Sequence, residues 1–336
     1  MCGRPTASSR KARSKIDLFA HALTGLALAG AGSRKKIGVT AYPLLVAASL
    51  LPDSDIFLRV FGSDAFLFGH RGLTHSIAGL AFQAILLALA FRSFAPAVSA
   101  GILAGYSALG LGVHAAMDCL TSWGPMLLAP FSRARFSLDW IPEMDAVFIA
   151  VPAIAFAAGL ARAQRRERYS RAAFGVLLAY VSVCAGSHAM GCEQVKAAMA
   201  KIGIKPDRVE AYPTTLDPLG WNGVAWTADR YFQVGVGTFS GVHGRVRSYF
   251  RVSMPPGLKS GFTDGYIECA RAPMLRFTAG RYPNEAILCD LRFVVPGGRA
   301  GYAAVITSSV AGTTRRWMDW DESIPDPDME FELPNK

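Results

Sequence analysis

The sequence predicts a mainly α-helical membrane protein: a multi-helix transmembrane bundle followed by a small C-terminal β-rich domain. Three observations predict it. Hydrophobic residues make up 51% of the 336 residues, and before residue 190 they gather in runs that approach the ~20 residues needed to span a bilayer. Basic residues cluster beside those runs, at 11–15, 34–36 and 162–171, where membrane proteins keep topology-setting charge. Beyond about residue 205 the chain changes to short runs rich in β-branched and aromatic residues, bounded by glycine and proline, which read as antiparallel strands.

Taken in order, residues 1–15 form a basic N-terminal tail with no expected structure. The transmembrane domain, 16–190, begins with IDLFAHALTGLALAGAG, a helix of about 25 Å at 1.5 Å per residue, which is marginal for a full crossing. A secretory signal with Ala29-Gly30-Ala31 as its cleavage site is the alternative, against which Asp17 and His21 stand at the front of the apolar core. Further apolar helices are expected at 38–51, 73–91, 95–119, 146–161 and 172–190, with irregular loops at 54–72 and 120–145. The 95–119 run is rich in Gly, Ala and Ser, which lets membrane helices approach closely. Residues 191–318 form the β-rich soluble domain, and 319–336 an acidic tail.

The formal charge of +10 does not point to nucleic acid, because the basic residues flank apolar runs. The bilayer is the expected partner, with a small-molecule or lipid substrate. Six cysteines without a CxxC argue against a cysteine-based zinc site. Cys269 and Cys289 could pair if the C-terminal part lies outside the cytoplasm.

Polar residues inside the apolar runs carry the functional signal, since ionisable groups there are costly and usually have a partner or a role. His114 and Asp118 stand four apart, one turn along a single helix face; Asp17 and His21 repeat the spacing. Asp53 and Asp55 close one run, and His70 and His75 open another. Threaded with alternating direction, the helices carry His21, Asp53, His70, His75, His114 and Asp118 to one membrane face. We take these six as candidate metal ligands, with Asp17, Asp55, Asp139 and Asp145 as further candidates. Imidazole with carboxylate suits a divalent ion, zinc first and manganese second, and the number of candidates favours more than one ion. Such an ion can lower the pKa of bound water toward ~7. Asp118, His75 and Arg71 are the candidates for direct catalytic roles. Arg71 could bind an anionic substrate group through its planar fork or serve only as interfacial charge. Thr74 and Ser76 could cap the following helix or orient His75. His188 and His243 fall outside the pattern.

The segments DLFAHALTG (17–25), LLPDSD (50–55), HRGLTHS (70–76), GVHAAMD (112–118), TSWG (121–124) and PFSRARFSLDW (130–140) with Asp145 resemble the bacterial membrane-bound, metal-dependent hydrolase family. Its best-known branch comprises the YdjM-like, LexA-regulated, inner-membrane-associated hydrolases. AYPTTLDPLGWNGVAWTADRY (211–231) also looks like the extra domain of longer members. The order His, Asp, His, His-x3-Asp is similar to zinc-dependent phospholipase C and the related P1-type nucleases. That resemblance implies ligands at His21, Asp53, His75 or His70, His114 and Asp118. This chain has no clear counterpart of that group's final His-x3-Glu pair.

The resemblance implies a multi-pass protein of the bacterial inner membrane. Basic residues in the tight connections favour placing the site and the C-terminal domain on the non-cytoplasmic face. Two functions stand against each other: a metal-dependent hydrolase acting on a phosphoester or lipid-like substrate, and a non-catalytic membrane protein with a structural metal and a partner-binding β domain. A transporter fits less well, because the acids crowd one face and not the midplane.

Overall fold

The computed structural model describes residues 8–214, 217–251, 254–277, 285–295, 299–300, 303–309, 312–317 and 329–331. The chain divides into two compact units, Met1–Val183 and Cys184–Lys336.

The first unit is helical. Helix α1 (Ser8–Leu28) begins before the expected residue 16, so part of the expected tail is helix. A π-helical turn, Ala29–Ser33, breaks it at Gly32, whose φ of 138° no L side chain adopts readily. After α2 (Arg34–Ile37) comes α3 (Ala41–Leu50), with Pro43 in the first turn, where its missing N–H costs no helical bond. The loop expected after Pro52 is instead a 3-10 segment, Leu51–Phe61, followed by α4 (Ser63–Gly69). A 3-10 turn, Leu73–His75, leads into α5 (Ile77–Phe91), where Ser76 Oγ accepts the Gly79 N–H as N-cap. Ser99 caps α6 (Ala100–Leu120) and Asp145 caps α7 (Ala146–Ala161) in the same way. Helix α8 (Arg166–Lys201) runs from the first unit into the second.

Among the described residues, two helices are long and apolar enough to cross a membrane, Ala100–Leu120 and Ala163–Lys201. The pair Asp64–His75 and Ile77–Phe91, bent by 65°, would make a third. Phe82, Ile85 and Leu89 on α5 and Ile154 and Leu160 on α7 are exposed. In lipid such faces carry no penalty.

Helix α3 packs against α1, α5 and α6, and its Ala41, Leu44, Leu45 and Ala48 share a core with Leu103 and Leu111 of α6. Two glycines set how closely these backbones meet. A Cβ on Gly25 would lie 2.7 Å from the Leu45 carbonyl oxygen, and one on Gly110 would lie 2.7 Å from Ala48 Cβ. His21 stands one turn before Gly25 and His114 one turn after Gly110, so these contacts also fix the depth of both imidazoles.

The second unit bears out the β-rich expectation. Strands β1 (Arg208–Thr214), β2 (Asp217–Trp226), β3 (Arg230–Gly237) and β4 (Gly241–Phe250) form an antiparallel meander. One face of it covers Val195, Ala198 and Met199 of α8. The other face, through Tyr212, Trp226, Tyr231 and Tyr249, shares a core with Met274, Ile287 and Cys289. After α9 (Gly261–Cys269), the last two of those core residues come from a second sheet, and Met274 from its edge. That sheet comprises β5 (Pro273–Phe277), β6 (Glu285–Asp290), β9 (Ala304–Ser309) and β10 (Gly312–Trp317), with the short pair β7 (Val294–Val295) and β8 (Arg299–Ala300) beside it in sequence. Of the expected acidic tail, Met329–Phe331 forms β11 on the edge of β4, with Glu330 paired to Arg245 and Arg247; the rest lies outside the described residues. No disulfide joins Cys269 to Cys289.

Gly25→Val and Gly110→Val should each destabilise the detergent-solubilised protein by about 1–3 kcal/mol through overpacking. Gly105→Ala, whose added methyl has nothing within 4 Å, should be close to neutral. Thermal melts followed by circular dichroism test the difference.

Candidate metal centre

The site is built around two imidazoles whose outer nitrogens are already committed. His114 Nδ1 lies 2.8 Å from the Ser49 carbonyl oxygen. A carbonyl only accepts, so Nδ1 carries the proton, and Nε2 of the neutral ring presents a lone pair inward. His75 Nδ1 lies 3.0 Å from Thr74 Oγ1 and 3.4 Å from Asp55 Oδ2, which hold the outer edge of its ring. The two Nε2 atoms then face each other at 3.1 Å.

Carboxylates flank this pair. Asp118 Oδ2 is 3.2 Å from both Nε2 atoms, while Asp53 Oδ1 is 3.5 Å from that of His75 and 3.8 Å from that of His114. His21 places its Nε2 3.5 Å from Asp118 Oδ1 and stacks on His114 with ring centroids 3.9 Å apart. All five side chains are buried, the most exposed being Asp53 at 7%. Buried carboxylates are costly without a counter-charge, and a buried neutral imidazole nitrogen is costly without a partner. A cation among them satisfies both, so the donor set fits a divalent ion.

Among the described residues, two groupings of ligand atoms lie close enough to hold one: His21, Asp53 and His114, and His75, His114 and Asp118. They share His114, which has a single inward lone pair. A small cavity of about 20 Å³, room for roughly one water, lies beside His21 and Asp118 and is also lined by Glu143 and Phe148.

A second layer holds the first. Asp55 accepts the Arg71 backbone N–H at 2.7 Å and Thr74 Oγ1 at 3.3 Å through Oδ2, and pairs with His70 Nδ1 at 2.9 Å through Oδ1. Burial would raise the Asp55 carboxyl, but the hydrogen bond and charge of His70, with His75 and the Arg71 N–H, outweigh it and hold the group below its ordinary value. Gln83 Nε2 donates to the Thr74 carbonyl at 2.5 Å, which fixes the turn.

The other candidate residues take different places around this cluster. Arg71 is buried, with a left-handed φ of 55°. Its guanidinium contacts Asp118 Oδ1 at 3.0 Å, Thr121 Oγ1 at 2.8 Å and Glu143 Oε2 at 3.3 Å, so its fork engages the protein's own carboxylates. His70 stands one layer out, its Nδ1 on Asp55 and its ring stacked on Phe66; the groupings contain His75 and not His70. Asp55 faces the outer nitrogens and not the inner ones. Asp145 caps α7 through Oδ1 and accepts from Tyr180 through Oδ2, so hydrogen bonds occupy both oxygens. Asp139 is buried with a φ of 58° and belongs to neither grouping. The side chain of Asp17 lies outside the described residues. His188 sits beside Cys192 and Trp221, and His243 bonds Ser240 on the surface. Thr74 touches His75, and Ser76 caps α5.

Two contributors were missed. Glu143 accepts from Arg71 and from the Trp123 N–H at 2.7 Å; its one sequence signal is an acid directly after Pro142 in an aromatic loop. Ser49 acts through its carbonyl, for which a sequence carries no mark.

Residues 16–190 match the family model described as YdjM inner membrane protein. The chain is also 27% identical over 137 residues to an uncharacterized protein, YfhP, of Bacillus subtilis (strain 168), a match covering 39% of this chain and 42% of that protein. The chain thus spans less than half the length of that relative. No solved structure matches.

Because Asp55 anchors the turn that presents His75, Asp55→Asn should weaken divalent-ion affinity about 10–100-fold while leaving the helical circular dichroism signal intact. Titration of the purified protein with zinc against a chelating dye tests it.

Proposed function

The chain belongs to the YdjM inner membrane protein family, and from that premise we propose that it is a membrane-bound, metal-dependent hydrolase acting on a phosphoester or lipid-like substrate. The observation that carries this reading is the facing of His75 Nε2 and His114 Nε2 at 3.1 Å between two buried carboxylates. His21, Asp53, His75, His114 and Asp118 would hold the ion or ions, zinc or manganese by donor type. A divalent ion bound there supplies water of lowered pKa, near ~7. Arg71 is a positioning residue in this scheme: it fixes Asp118 and damps the negative charge that the carboxylates accumulate. Glu143, with a side chain 29% exposed, is the acid of the cluster through which a proton can pass to solvent. Asp118 and His75 stand nearest the reacting centre.

A second reading, a structural metal in a non-catalytic protein whose β domain binds a partner, is favoured by the enclosure of the site, since the cavity beside it admits about one water. Elemental analysis of detergent-purified protein, with a phosphomonoester, phosphodiester and phospholipid panel, separates the two. The hydrolase reading expects bound zinc or manganese, turnover on at least one substrate, and loss of both in His114→Ala. Metal without turnover, and with Asp118→Ala unfolding the protein, would favour the structural reading. Metal-free protein would sink both.

We place the site and the C-terminal domain on the non-cytoplasmic face, because Arg34, Lys35, Lys36, Arg92 and the arginines of 162–171 lie in the opposite, tight connections. A periplasmic-type alkaline phosphatase fused after Lys336 should be active, and one fused after Arg92 inactive. The reverse pattern inverts the topology.

A further inference from the structure

Two segments adjoining the candidate centre have an unusual surface. In the 3-10 segment Leu51–Phe61, Asp53 and Asp55 point inward while Phe57, Val60 and Phe61 are 71%, 81% and 80% exposed. In the loop between α6 and α7, Phe131 is 92% exposed, and Leu128, Phe136 and Leu138 are exposed as well. Hydrogen bonds tie the two segments into one structure. The Met126 N–H donates to the Arg71 carbonyl, the Ile77 N–H to the Leu127 carbonyl, and Arg135 Nη2 to the His70 carbonyl, while His70 is held by Asp55. The backbone under the exposed side chains is therefore anchored, and the apolar groups are held outward. Isolated exposed apolar residues mean little, but a gathered set on anchored backbone marks an interaction surface.

The level of this surface identifies the occupant. The α6–α7 loop starts where the span Ala100–Leu120 ends, and the Leu51–Phe61 segment adjoins it through the 70–77 turn that opens α5. Apolar side chains at the end of a crossing helix fall in the headgroup and upper acyl region of a bilayer, where interfacial elements bury them. Arg59 and Arg133 are exposed among them, Arg59 lying over the Phe66 ring at 4.2 Å. Basic side chains at that depth attract anionic headgroups.

We infer that residues 57–61 and 128–138 form a docking surface for anionic phospholipid on the segments joined to the turn that carries His75. Resting on the hydrolase reading, this names the substrate class as an anionic glycerophospholipid, whose headgroup phosphate is presented from the membrane plane.

The test uses the full chain in its native membrane, with the photoreactive residue p-benzoylphenylalanine replacing Phe61, Phe131 or, as a control, Phe239 of the second unit, which is 82% exposed. Mass spectrometry of the irradiated protein should find phospholipid adducts at 61 and 131 at least about tenfold above those at 239. Reconstitution in nanodiscs of equal phosphatidylglycerol and phosphatidylcholine should give adducts enriched in phosphatidylglycerol, and Arg59→Ser with Arg133→Ser should abolish that enrichment. Absence of lipid adducts at both positions overturns the docking surface, and adducts without enrichment overturn its anionic selectivity. Metal content and release of headgroup from phosphatidylglycerol are measured on the same nanodiscs. Lipid adducts on metal-free protein would leave the docking surface standing and overturn the hydrolase reading with its substrate class. Metal with cleavage of a soluble phosphodiester but not of phosphatidylglycerol would overturn the substrate class alone.

Discussion

His75 Nε2 and His114 Nε2 stand 3.1 Å apart with a carboxylate oxygen of Asp118 within 3.2 Å of each, and much of the first unit serves to keep them there. The outer nitrogen of each ring lies against an oxygen, the Ser49 carbonyl for His114 and Thr74 Oγ1 for His75, which fixes how the rings face. The acceptor for His114 is the carbonyl of Ser49, in the last turn of α3, where helical carbonyls lack partners within their own helix. Bonding it satisfies the helix end and aims the imidazole with a single contact. The contact is possible because Gly25 and Gly110 let α1 and α6 press against the backbone of α3.

The charge balance around the centre explains the turn at residues 70–75. Asp53, Asp55 and Asp118 lie buried within a few ångströms of one another's partners, an arrangement that repels itself unless cations are close. Arg71 supplies a permanent one. Its left-handed backbone places the guanidinium against Asp118 and Glu143 while its N–H reaches Asp55. A single residue thus joins three acids from three segments, and a lysine could not match that planar, multiply donating geometry. The same turn carries His75 and begins α5, so the candidate ligand, the counter-charge and the helix start are set together.

Much of the site was legible because its elements are local. His114 and Asp118 share a helix face by spacing alone, Asp53 and His75 sit where helical segments end or begin, and His21 lies inside α1 one turn before Gly25. What the spacing could not settle was which of His70 and His75 turns inward. Both open the same helix, and only the pairing of His70 with Asp55 and its stacking on Phe66 decide it. Asp145 looked like a ligand by proximity in sequence, yet an acid just before a helix is also the commonest cap, and that role prevailed. Glu143 was overlooked because its partners, Arg71 and Trp123, lie 72 and 20 residues away.

The sequence alone determined the apolar helices, the β-rich C-terminal part and the type of candidate ligand atoms, since hydrophobic period, β-propensity and side-chain chemistry are properties of short stretches. The tertiary structure alone decided which atoms face one another: the Ser49 carbonyl on His114 across 65 residues, Arg71 turned onto Asp118 instead of outward, and the anchored loops that hold Phe61 and Phe131 exposed. Those contacts depend on how closely packed helices meet and on which buried charge finds which partner, and both are fixed only when distant segments share one interior.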